Sequence, residues 1–198
     1  ARLDAGHART TFNDDARAII EWTQTRLGAN APKFFARLPA VLQGPTFRCA
    51  HADPADPLRF GYVIDPADAQ AVWARCTEQI LFVGHTHVPG IFVVGASGTP
   101  HWLPPQDFAL EPGKRYLVNV GSVGQPRNQD VRASYCLFDL EQGSVVFRQV
   151  PFDIEAYRVA LTRARLPTRP HPFLHLAHTR TPLPLREMLD FSPPQVQA

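Results

Sequence analysis

The residues best suited to chemistry stand at Gly84-His85-Thr86-His87. They follow Ile80-Leu81-Phe82-Val83, an apolar run too short for a helix and suited to a strand buried on both faces. On an extended segment residues i and i+2 share a face, so both imidazoles are expected on one side and Thr86 on the other. Gly84 has no side chain to obstruct an approaching ligand. Imidazole is a common metal ligand, and two rings side by side suit a two-metal site, one ring per ion, with the ions about 3.5–4 Å apart. Chance is the plain alternative, yet this composition supplies a GHxH only about 0.02 times per chain.

Two further segments could join such a site. His51 ends the strand expected over 46–50 and is followed by the turn-rich Asp53-Pro54-Ala55-Asp56-Pro57. A strand-end histidine is either a hydrogen-bonded structural residue or a third ligand, and its place beside the GHTH strand makes both readings open. Asn119-Val120-Gly121-Ser122-Val123-Gly124-Gln125-Pro126-Arg127 reads as a strand end, a glycine-rich turn and an arginine. Such a turn can present backbone N–H groups, and Arg127 can hold a phosphate through two parallel hydrogen bonds. The same turn could simply connect two strands. His7, His101, His171, His175 and His178 sit in loop-like contexts and read as solvated.

The elements that must position these groups alternate between helix and strand. A helix is expected from an Asn13 cap to Gly28, with Asp14 and Asp15 in its first turn. Ala16, Ile19, Ile20, Thr23 and Leu27 would form its buried stripe. A short helix between Pro32 and Pro39 would make contacts through Phe34, Phe35 and Leu38. Asp65-Pro66 opens another, burying Ala69, Val72, Trp73 and Cys76. Strands are expected at 91–94, 116–120, 134–140 and 144–150, the last two joined by a hairpin at Glu141-Gln142-Gly143. A proline-rich loop is expected between 95 and 113. A last helix carries Ile154, Tyr157, Ala160, Leu161 and Ala164. Polar and glycine-rich residues follow the strands, where open sheets build their sites, so the organisation is an α/β layered domain.

Composition narrows the function classes. With 198 residues and 44% apolar content, the chain can form a real core and is not disordered throughout. No apolar run is long enough for a membrane span, and no secretory signal opens the sequence. Twenty Lys+Arg against eighteen Asp+Glu give +2, too balanced to indicate nucleic acid or an anionic membrane. Cys49, Cys76 and Cys136 are odd in number and lack CxxC spacing, which points to a reducing cytoplasm rather than a disulfide framework. Seven of the twenty prolines fall after Leu166, and 167–198 reads as an irregular tail with a helical turn at Leu185–Leu189.

His51-Ala52-Asp53-Pro54, ILFVGHTH at 80–87 and YLVNVGSVGQPR at 116–127 together resemble the calcineurin-like metallophosphoesterase family, in its bacterial branch with FVGHTH and NxGSVGQPR motifs. The resemblance covers 1–166, the C-terminal part of such a domain. It implies a four-layer α/β/β/α sandwich, here lacking the first strands and helices. It also implies a centre of two divalent ions (Mn, Fe, Zn or similar) that hydrolyses phosphomonoesters or phosphodiesters by attack of a metal-bound hydroxide. By match, His51 and His85 would ligate one ion and His87 the other. Arg127 is not a ligand in that pattern and is expected to act as a phosphate or structural contact. A phosphorylated small molecule or a phosphoprotein is the substrate class implied.

The family's D-x-H, G-D-x-x-D and G-N-H elements are absent, so residue 1 is expected to fall just after the G-N-H turn, the chain is an N-terminally truncated match, and no catalytic residue is assigned. Two close divalent ions need anionic ligands to offset their repulsion, and three neutral imidazoles alone suit one zinc with water in the fourth place. A catalytically inactive fragment or pseudoenzyme that binds metal or a partner is therefore the alternative. A third reading makes Thr181-Pro182-Leu183-Pro184 a polyproline docking segment.

Overall fold

The computed structural model describes residues 14–128 and 130–167. The chain divides into two compact units, 1–40 with 153–170 and 41–152 with 171–198. The expected tail beyond Pro167, with its helical turn and polyproline segment, lies outside the described residues, as do His7, His171, His175 and His178.

In the first unit, α1 spans Asp14–Arg26 and α2 spans Ala31–Phe35. Asp14 and Asp15 occupy the first turn of α1, where the helix dipole favours negative charge, and proline opens α2, where a missing N–H costs nothing. The expected burial does not follow. No residue of α1 is buried, and Phe34, Phe35 and Leu38 are 58%, 54% and 51% exposed. Periodicity marks which face of a helix is apolar, but the depth of burial depends on the bulk packed against it, and a small helical unit has much surface per volume.

The second unit carries the sheets. A six-stranded sheet has the order β1-β2-β3-β7-β4-β5, with β1 at Val41–Gln43, β2 at Phe47–Ala50, β3 at Ile80–Val83, β4 at Gly90–Val94, β5 at His101–Leu103 and β7 at Arg115–Asn119. A three-stranded sheet, β6-β9-β8, combines β6 at Phe108–Ala109 with the hairpin of β8 (Ala133–Asp139) and β9 (Ser144–Val150). β5 and β6 fall in the stretch expected to be a proline-rich loop. Both are short edge elements, three and two residues long, and their strand state comes from pairing with β4 and β9 rather than from local pattern.

Between β2 and β3 lies α3, Pro66–Trp73. The Asp65 side chain accepts a hydrogen bond from the Asp68 backbone N–H, and Asp68 reciprocates, satisfying two orphan donors of the first turn. Its Ala69, Val72 and Trp73 pack with Leu81, Val83, Phe92 and Leu117 on one face of the six-stranded sheet. Ile80, Ile91, Val93, Tyr116 and Val118 point to the other face and meet Val145 and Phe147 of the second sheet. Successive residues of β3 and β7 thus feed two different cores, which is why both strands read as continuous apolar runs. The unit is an α/β/β stack. The helix α4, Ile154–Arg163, follows in the first unit, capped by the Asp153 carboxylate, which accepts from the Ala156 N–H at 2.8 Å. Among the described residues no helix is long and apolar enough to cross a membrane.

This topology fixes the site. β2, β3 and β7 run parallel and adjacent, with Cys49 opposite Phe82 and Val83 opposite Asn119. Their carboxyl ends therefore deliver His51, the GHTH segment and the Val120–Gly124 turn to one rim.

Candidate metal centre

His51, His85 and His87 line one cleft of about 380 Å³ above the carboxyl ends of the three strands. Its walls also include Cys49, Phe82, Gly84, Val120 and the Gly121-Ser122-Val123 turn. His51 Nε2 lies 3.1 Å from His85 Nδ1, and the ring centroids are 5.0 Å apart at 69°. Two imidazole nitrogens each about 2.0–2.1 Å from one ion would be separated by about 2.8–3.0 Å in octahedral and about 3.3–3.4 Å in tetrahedral geometry. The pair thus spans one edge of a coordination shell. Across this gap the N–H of one ring donates a hydrogen bond to the nitrogen of the other, the roles set by the tautomer.

His87 is oriented differently. Its Nδ1–H donates to the Gln125 carbonyl at 2.8 Å, which leaves Nε2 with the lone pair. A carbonyl that fixes the tautomer in this way is the usual support behind a ligating histidine. The His87 carbonyl in turn accepts from the Arg127 N–H at 3.1 Å. The GHTH segment and the SVGQPR turn are therefore laced together through residues 87, 125 and 127.

Both histidines reach the cleft by a route other than the expected pleat. β3 ends at Val83, and His85 and His87 have φ of +65° and +63°. Left-handed backbone costs a non-glycine residue roughly 1–2 kcal/mol, so something must hold it. That hold is Asn119. Its side-chain amide donates to the Gly84 carbonyl and to Thr86 Oγ1, both at 2.8 Å, and its Oδ1 accepts from the Gly121 N–H at 3.0 Å. Thr86 Oγ1 also accepts from the Val88 N–H at 3.1 Å. Asn119 and Thr86 are 5% and 1% exposed, so this network is dry. Sequence reasoning missed it: Asn119 stood in a quoted motif without a role, and only its position beside Gly84 across the β3–β7 pair supplies one.

Two glycines matter here. The Gly84 N–H donates to the His51 carbonyl at 3.0 Å, and an added Cβ would stand 3.7 Å from that oxygen. That is ordinary van der Waals distance, so the approach of the two segments does not require glycine, and the bareness of Gly84 bears on access to the cleft it lines. Gly121 has φ +81°, and a Cβ there would lie 2.9 Å from the Ser134 Cβ.

Burial pushes His85 and His87 down to about 4, helped by repulsion from His51, His87 and Arg127 on the first and from Arg127 on the second. Desolvation lowers the more exposed His51 as well. At neutral pH all three rings are neutral, the state that binds metal. Arg127 lies near enough to act on both GHTH rings, and its buried Nε has no hydrogen-bond partner among the described residues.

The carboxylates next to His51 are engaged elsewhere. Asp53 Oδ1 accepts from the Ala55 N–H at 2.7 Å, and Asp56 faces Arg59. Among the described residues no three His, Cys, Asp or Glu side chains are placed to hold one ion. The donors present therefore fit part of a shell: an edge from His51 and His85, with His87 on the same cleft. Anionic donors for a second ion are not among them.

Residues 28–143 match the family model for the calcineurin-like phosphoesterase superfamily domain. The uncharacterized protein MJ0912 of Methanocaldococcus jannaschii is 32% identical over 160 residues, covering 79% of this chain and 63% of that protein. The crystal structure of a metallophosphoesterase from Sphaerobacter thermophilus superposes with a TM-score of 0.66 at 30% identity, covering 79% of this chain and 65% of that one. A hypothetical protein of Pyrococcus horikoshii, PH1004, shares the fold at a TM-score of 0.60 and 18% identity, covering 86% and 62%. The chain spans less than two-thirds of the length of each of these relatives.

Proposed function

Because the chain belongs to the calcineurin-like phosphoesterase superfamily, we propose that its histidine cleft is part of a metal-dependent centre that hydrolyses phosphomonoesters or phosphodiesters. The observation that carries this is the His51 Nε2–His85 Nδ1 separation of 3.1 Å at the rim of the parallel strands, between two neutral rings. His51 and His85 would hold one divalent ion, and His87, its Nδ1 committed to Gln125, would offer Nε2 to a second. Bound there, such ions supply Lewis acidity toward the phosphoryl group and acidify a water at neutral pH.

The chain's own residues do the rest. Asn119 and Thr86 hold the GHTH backbone in the conformation that brings His85 and His87 to the cleft. Arg127, cationic beside the cleft, attracts an anionic phosphoester and orients it. Substrates of this centre are phosphorylated small molecules or phosphoproteins, with manganese a suitable ion. The three cysteines are free, which fits a reducing cytoplasm. Hydrolysis of an aryl phosphodiester and an aryl phosphomonoester with added manganese is the test. Turnover abolished in His85→Ala and His87→Ala supports the reading. Absence of manganese-dependent turnover, also after D-x-H, G-D-x-x-D and G-N-H elements are supplied upstream, refutes it.

A second reading has its own observation, the lack of any three-donor cluster among the described residues. Under it the chain binds one ion or fewer, or a partner, and catalyses nothing. Counting ions per chain separates the two, since two bound ions exclude this reading.

A further inference from the structure

We propose that Tyr62 is a positioning residue of the candidate centre, setting the plane of the His85 imidazole for the ion that His51 and His85 would share. The inference rests on the metal-centre reading above and adds a residue that no motif marks. The Tyr62 ring stacks on His85 with centroids 4.2 Å apart and planes 26° from parallel. The Phe60 ring lies 6.2 Å from that of His85 at 49°, and His85 Nδ1 faces His51 at 3.1 Å. His85 is thus held by a stacking contact on one face and by the polar contact to His51 at its edge. Without the stack, the imidazole keeps its edge contact but gains freedom to tilt, and the two nitrogens lose their common aim.

The stretch that carries Tyr62 is built to hold still. The Asp53 N–H donates to the Gly61 carbonyl at 3.0 Å, closing the loop that leaves β2 after His51. Inside it the Asp53 carboxylate caps its own turn, and Phe60 sits at φ +53°. On the far side, buried Val63 and Ile64 lead into the doubly capped start of α3. Tyr62 itself is 36% exposed and belongs to neither hydrophobic core. Its ring lies flat on a candidate ligand, so a change of that ring is read at the ligand.

Titration of the chain with Co(II), followed by calorimetry and by the visible absorption of the ion, tests this. Tyr62→Leu should weaken binding about 3- to 10-fold, as expected for loss of one aromatic pair, and alter the Co(II) spectrum. Tyr62→Phe should stay within about twofold of the parent, because the ring remains. Thermal unfolding of both metal-free variants, measured alongside, separates a loss of affinity from a loss of fold. Equal affinity and an unchanged spectrum for Tyr62→Leu would overturn the inference while leaving the centre standing. So would a loss in Tyr62→Phe as large as in Tyr62→Leu. If the parent chain binds no Co(II), or binds it as tightly after His85→Ala, the centre itself falls and the role of Tyr62 falls with it.

Discussion

Asn119→Ala is the substitution that most directly tests how the cleft is held. The side chain is 5% exposed and makes three hydrogen bonds, to the Gly84 carbonyl, Thr86 Oγ1 and the Gly121 N–H, at 2.8, 2.8 and 3.0 Å. A typical buried bond contributes about 1 kcal/mol net, and each partner left dry and unpaired costs about 1–3 kcal/mol. The Gly121 N–H would be left so, the Gly84 carbonyl would keep only the Thr86 N–H at 2.7 Å, and His85 and His87 would lose what holds their left-handed backbone. The expected loss is about 3–5 kcal/mol. In urea, at a slope near 2 kcal/mol per molar, the midpoint should fall by about 1.5–2.5 M. Thr86→Val probes the same network from the other side. A double-mutant cycle should show coupling of about 1 kcal/mol, because Asn119 and Thr86 share a bond. A loss below about 1 kcal/mol, or simple additivity, would refute the view that this pair holds the GHTH turn.

Four other outcomes follow from the same geometry. Gly121→Ala should destabilise by about 2–4 kcal/mol, seen as a lower unfolding midpoint, since its φ of +81° and a 2.9 Å approach to the Ser134 Cβ oppose any side chain. His85→Gly should be more stable than His85→Ala by about 1 kcal/mol, because the position is left-handed; equal midpoints would speak against strain there. Burial lowers His85 and His87 to about 4, so the unfolded chain binds more protons between that value and the ordinary 6.5. Their contribution to stability is therefore complete above about pH 6.5 and is lost as pH falls toward 4; midpoints measured across that window should drop, and less steeply in the His85→Gln, His87→Gln double variant. Finally, Arg48→Ala should cost about 3 kcal/mol in denaturation, because it strips Glu78, 6% exposed, of the guanidinium 2.9 Å away.

The sequence alone disclosed the parts whose rules are local. Ile80–Val83 reads as a doubly buried strand because four apolar residues in a row leave no polar face, and it is flanked by strands on both sides. Asp65-Pro66 announces α3 because capping chemistry is set within four residues. GHTH and NVGSVGQPR pointed to one rim because open sheets gather their sites at strand ends, and His51, His85 and His87 do line one cleft. What the sequence did not disclose depends on neighbours far along the chain. Asn119 acquires its role only across the β3–β7 pair, 35 residues from Gly84. Tyr62 meets His85 because the loop after His51 is closed by Asp53 and Gly61. β5 and β6 exist because β4 and β9 offer them free edges. The left-handed turn at His85 and His87 contradicts the pleat that alternation alone would impose. Local pattern states what each segment prefers, whereas long-range hydrogen bonds decide which strained conformation is worth keeping, and those bonds exist only once the sheet has formed.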